Sequence, residues 1–156
     1  MSIIQRFRED HRAFRLHLEE TNKIAQELPP NSPKPAQTEA DRHFSNRLRR
    51  HARMEGEILY PTIQRASQGD HLQETIKRFM DHGQDEHSSV AKRHSVWIAD
   101  ASPGTCQSEW QIALHHFSDG LERHMQSEEN ELFPLAEQIL SPEVLEKLNQ
   151  KADLIP

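Results

Sequence analysis

Apolar positions recur every three or four residues through most of this chain, which is the spacing of amphipathic helices. Ile4, Phe7, His11, Phe14 and Leu18 step this way and predict a first helix from about Ser2 to Leu28. Pro29-Pro30-Asn31-Ser32-Pro33-Lys34-Pro35 cannot continue it and reads as the longest loop. A second helix is expected from near Thr38, with Glu39 and Asp41 in its first turn and an inner face of Phe44, Leu48, His51, Glu55, Ile58 and Leu59. Gln68-Gly69-Asp70 interrupts the chain, and Asp70 suits the N-cap of a third helix. That helix carries Ile76, Phe79, Met80, Gly83, His87, Val90, Ala91, His94, Trp97 and Ile98 on one stripe, and Asp100-Ala-Ser-Pro-Gly104 ends it. The fourth runs from about Cys106 to Leu140 through Trp110, Ala113, Phe117, Gly120, Leu121, His124, Glu128, Leu132 and Leu135. Ser141-Pro142-Glu143 looks like a cap, a first-position proline and a first-turn acid opening a short last helix. No β-branched run alternates with period two. The expected fold is all-α: an up-down-up-down four-helix bundle with a short C-terminal helix.

At 156 residues, a single domain over 1–156 is expected, large enough to bury a core without disulfides. Cys106 is the only cysteine, so a reducing, cytoplasmic setting is expected. Met1-Ser2-Ile3-Ile4-Gln5-Arg6 lacks the apolar run of a signal peptide, and no stretch approaches the ~20 apolar residues of a membrane span. A net charge of -6 argues against nucleic acid as a partner, because phosphate binding needs a basic surface.

Eleven histidines change the picture. His51-Ala-Arg-Met-Glu55-Gly-Glu-Ile-Leu59-Tyr60-Pro61 recurs as His124-Met-Gln-Ser-Glu128-Glu-Asn-Glu-Leu132-Phe133-Pro134. The four-residue step stacks each His and Glu on one helix face. Roughly one His-x-x-x-Glu is expected by chance from such a composition, and His82/Glu86 is a third copy. The shared Leu-aromatic-Pro tail sets the first two apart. Both pairs also fall on apolar stripes, where an ionised Glu is costly unless a metal or a buried Arg compensates it. Glu9-Asp10-His11 and Asp85-Glu86-His87 precede the two motifs at similar distances, so the chain looks like two related hairpins. Each contributes one His from its first helix and a His/Glu pair from its second. Six nitrogen and oxygen ligands, His11, His51, Glu55, His87, His124 and Glu128, suit two metal ions with shared carboxylates. Without thiolate, iron leads, with manganese and zinc behind.

The other histidines fall elsewhere. His82 points away from the His87 stripe. His94 is about 10 Å along the helix from His87 and reads as core. His43 and His116 flank the metal direction, and His17, His71 and His115 read as surface. Met54, Met80 and Met125 read as packing, and Tyr60 and Phe133 as filling one bundle end. Pro61 and Pro134 are expected to kink or end their helices just past the site.

These residues resemble the hemerythrin-like, or HHE cation-binding, family, from Asp10-His11 to Ser141-Pro142-Glu143. The resemblance implies a four-helix bundle holding two iron ions with an oxo or hydroxo bridge. It implies terminal ligation by His11, His51, His87 and His124 and bridging by Glu55 and Glu128. Oxygen-carrying hemerythrins have a fifth His where this chain has Ala91, and an Asp where it has Glu129. The chain is thus similar to the four-His, two-Glu branch, which includes bacterial iron-sulfur-cluster repair proteins and stress-related relatives. The repair proteins usually add a domain with a Cys pair, which the lone Cys106 does not supply.

The expected function is to bind, sense or reduce a small oxidant (O2, NO or peroxide) in a stress response, at a metal position that the missing fifth His leaves open. No protein nucleophile is evident, so reactivity belongs to the metals; the sequence does not indicate a redox partner. Reversible oxygen binding or iron storage without turnover is the alternative, and a metal-free helical interaction module is a third. A ferritin-like carboxylate site fits less well, because that fold uses Glu-x-x-His.

Overall fold

The computed structural model describes residues 1–29, 32–67, 73–81 and 107–156, and every regular element among them is helical. Helix α1 spans Ile3–Glu27, with Ser2 as its N-cap and Leu28 as its C-cap. Its start is closed reciprocally: the Ser2 hydroxyl accepts from the Gln5 N–H at 3.2 Å, and the Gln5 side chain accepts from the Ser2 N–H at 2.9 Å. Thr38 and Asp41 repeat this capping box for α2, Glu39–Met54, and each such cap contributes about 1 kcal/mol.

Beyond α2 the helix widens. Residues Glu55–Leu59 form a π-turn, and α-helix resumes as α3, Tyr60–Ala66. A helical stretch, α4, covers residues 73–81. Helix α5, Gln107–Ser127, repeats the sequence of events: a π-turn at Glu128–Leu132, then α6, Phe133–Ile139. The last helix, α7, is Pro142–Ala152, capped by the Ser141 hydroxyl at the Val144 N–H.

The prolines account for the widening. Pro61 and Pro134 have no N–H for the carbonyl four residues back, and their rings crowd it. One wider turn just upstream absorbs the misfit: the Tyr60 N–H bonds the Glu55 carbonyl, and the Phe133 N–H bonds that of Glu128. The helices do not end at the prolines: helix continues through Pro61 to Ala66 and through Pro134 to Ile139. Instead they carry a π-bulge, a distortion that often marks functional sites.

Contacts along α1 show that it runs antiparallel to both α2 and α5. Phe14 meets Phe44 while Phe7 meets His51. Arg8, Arg15 and Asn22 meet Glu137, Glu122 and Ser118 in turn. This is the bundle sense expected for the first, second and fourth rods. One core cluster joins Ile3, Phe7, Leu59, Tyr60, Leu132 and Phe133 to Leu145 and Leu148 of α7. A second joins Phe14, Leu18, Phe44, Leu48, Phe117, Leu121 and Met125. A third, at the far end of α1, joins Ala25, Trp110 and Leu114. Each fully buried large side chain contributes roughly 1.5–3 kcal/mol. Between the first two clusters the chain places polar residues, and the bundle is interrupted there by chemistry rather than by packing. Among the described residues, no helix is long and apolar enough to cross a membrane.

Candidate metal centre

His11, His51, Glu55, His124 and Glu128 are all buried, each at most 4% exposed, in the layer between the two larger core clusters. Helix α1 supplies His11, one turn from both Phe7 and Phe14. Helix α2 carries His51 in its last turn and hands over to Glu55, the first residue of the π-turn. Helix α5 and the second π-turn do the same with His124 and Glu128. His87, with His94 and Ala91, lies outside the described residues.

Glu128 stands at the middle. Its Oε2 lies 3.1 Å from His11 Nε2 and 3.9 Å from His51 Nε2, while its Oε1 lies 2.6 Å from His124 Nε2. Glu55 Oε1 lies 3.3 Å from His51 Nε2. Two overlapping groups therefore meet metal-site spacing: His11, His51 and Glu128, and Glu55, His124 and Glu128. Both contain Glu128, one carboxylate oxygen toward each side. The donors are imidazole and carboxylate alone, which fits a divalent transition metal. His11 Nε2 is buried, with the Glu128 carboxylate 3.1 Å away as its polar neighbour.

The outer nitrogens are held by a second layer that the sequence reading missed. His51 Nδ1 donates to Asp10 Oδ2 at 3.0 Å, and Arg47 Nε donates to Asp10 Oδ1 at 2.6 Å. His11 Nδ1 donates to Glu129 Oε1 at 2.8 Å, and Arg15 grips both Glu129 oxygens at 2.9 and 3.1 Å. The same Arg15 also binds Glu122 through Nε. His51 and His11 thus each have a carboxylate behind them and an arginine behind that. A carboxylate accepts only, so Nδ1 carries the proton and Nε2 faces inward as a donor of electrons. Glu129 is turned outward to His11, and Glu128 is the residue aimed between the histidines.

Electrostatics follow from this layering. Burial raises the Asp10 carboxyl, but His51 and Arg47 outweigh it and leave it below the ordinary range. Burial also opposes ionisation of Glu128, yet His124, His11 and His51 hold it well below. Burial disfavours a charged His51, but Glu55, Asp10 and Glu128 raise it well above the usual imidazole value. A cation bound among these groups would compete with their protons.

A family model for the hemerythrin HHE cation-binding domain matches residues 2–136. The chain belongs to this family. No curated protein and no solved structure matches it significantly. The hemerythrin match spans α1 to α6, so it contains every residue of the buried layer.

The remaining histidines sort differently. His43, His115 and His116 are exposed. His17, expected on the surface, is only 13% exposed in its side chain and stacks on Phe44 with ring centroids 4.4 Å apart. Asp41 of α2 lies 3.2 Å from its Nε2. Met54 and Met125 are core packing and Met80 is half-buried, as expected. His71 and His82 lie outside the described residues.

Proposed function

We propose that His11, His51, Glu55, His124 and Glu128, joined by His87, would hold two metal ions, with the Glu128 carboxylate common to both groups of donors. The observation that carries this reading is the position of Glu128, with one oxygen facing each of two buried groups. Iron is the favoured metal, because imidazole and carboxylate without thiolate suit it, and manganese or zinc would occupy the same donors. We further propose that the protein binds, senses or reduces a small oxidant, O2, NO or peroxide, in a stress response. The bound metal in its reduced state supplies the electrons. The protein's own part is to orient the donors, exclude water and hold protons. Asp10 and Glu129 keep Nδ1 of His51 and His11 protonated and their rings fixed. Phe7, Phe14 and Phe133 pack against those rings at 4.8, 5.4 and 5.4 Å and keep the layer dry. With Ala91 in place of a fifth imidazole, the ligand set has room for a small molecule.

Mixing the reduced, metal-loaded protein anaerobically with O2, NO and peroxide tests this reading. Turnover of one oxidant, or a spectral change selective for one, is the expected result. A stable, fully reversible O2 adduct would instead favour oxygen carriage, and metal lost readily to a chelator would favour storage.

A further inference from the structure

Outside the buried layer, a highly charged concave feature lies on the α1/α2 face. It is a cavity of about 820 Å³ lined by Arg6, Arg47, Arg49, Arg50 and Arg53, with His43, Glu9 and Asp10 among them. Five arginines face the carboxylates of Glu9 and Asp10 and the Pro156 backbone, which accepts from Arg53 at 3.5 Å, in a chain whose net charge is -6. The arrangement follows from α2, which reads Arg47-Leu48-Arg49-Arg50-His51-Ala52-Arg53. Leu48 and His51 turn inward and carry the arginines onto the flanks.

Two of these arginines, Arg49 and Arg50, have no ion pair among the described residues. Arg50 donates to the Ile155 and Ala152 carbonyls at 3.0 and 3.1 Å, which are neutral acceptors. Arg49 reaches only the Asn46 side chain, at 3.5 Å. Among the described residues, neither forms an ion pair. Arg6 pairs with Asp153 through Nη2, while its Nη1 is buried with no acceptor among the described residues. Arg53 is matched by Glu57, and Arg47 by Asp10.

We propose that this cavity binds a compact polyanion of the phosphate class. The planar guanidinium presents paired donors that match phosphate oxygens, and arginine is the side chain suited to that recognition. The volume falls within the range of small-molecule sites. The cavity also touches the metal layer through one chain of bonds: Arg47 to Asp10 at 2.6 Å, and Asp10 to His51 at 3.0 Å. An anion that engages Arg47 competes with Asp10 for it, so occupancy and the state of the buried layer are linked in both directions. Only this linkage, and not the binding itself, rests on the metal reading above.

The test is calorimetric titration of the full-length, metal-loaded protein with inorganic pyrophosphate at fixed ionic strength, with citrate in a parallel arm and metal measured in the dialysate. Saturable pyrophosphate binding at one site, weakened about tenfold or more by Arg49→Glu, is the expected outcome. Arg49→Ala, with a milder loss, guards against a folding artefact, and circular dichroism checks both variants. Tighter binding of pyrophosphate than of citrate supports the phosphate class, and the reverse order would overturn it. Heat that persists in Arg49→Glu, or that tracks metal appearing in the dialysate, would mean chelation and would also overturn the proposal.

Discussion

The two π-turns, Glu55–Leu59 and Glu128–Leu132, have the same backbone but different surroundings. Both begin at an inward glutamate, both close with a bond from an aromatic N–H five residues on, and both precede a proline. They part at the second residue. Glu129 in one copy reaches His11 Nδ1, whereas the other copy has Gly56, where an added Cβ would meet nothing within 4 Å. His51 obtains its carboxylate from Asp10 on α1 instead. The repeat therefore dictates the backbone and the inner residues, while the outer support is assembled position by position.

The strongest way to break this comparison is to exchange its inner residues. Glu128 belongs to both candidate groups and Glu55 to one. Glu128→Ala should therefore lower metal content further than Glu55→Ala, and by more than the roughly 10–100-fold affinity loss typical of an outer partner. Equal losses, read by elemental analysis after dialysis, would refute the central place given to Glu128.

Next come the outer carboxylates. Asp10→Ala and Glu129→Ala should each weaken metal affinity by about 10–100-fold while leaving the helical spectrum unchanged. Competition with a coloured chelator measures this, and affinity indistinguishable from the parent would remove the supporting role of that layer.

The silent member of the comparison gives a smaller effect of opposite sign. Gly56→Ala meets no obstruction and should stabilise the helix by roughly 0.5–1 kcal/mol with metal content unchanged. A lower denaturation midpoint would show that the glycine is needed there.

The smallest effect concerns His17. Burial pushes its imidazole below the ordinary value, with Asp41 and Glu20 partly opposing. Below that lowered value both folded and unfolded chains carry the proton, and the folded one bears the cost. Above about pH 6.5 neither carries it. Stability should therefore rise with pH across the interval between. His17→Leu should flatten that rise in denaturant melts, and an unchanged pH profile would contradict it.

What the sequence revealed depended on how local the cause was. Ser141 announced a helix start because a cap acts within three residues, and the starts expected near Ser2 and Thr38 fall on capping residues as well. The inward His/Glu pairs were visible because one helix turn aligns them. The π-turns were hidden, because a missing N–H can be answered by a kink, an end or a wider turn, and residue types alone do not choose among these. Asp10 and Glu129 were overlooked because their hydrogen bonds join residues 41 and 118 positions apart. His17 was misread because Phe44, the ring that covers it, comes from a different helix.

The account turns on whether the buried layer holds metal. Elemental analysis of freshly purified protein, together with its absorption spectrum, tests this most directly. About two equivalents of transition metal per chain, chiefly iron, with near-ultraviolet absorption that disappears on reduction, is the result expected of a two-metal site. Protein that is folded, free of metal and unable to take up ferrous iron would contradict it.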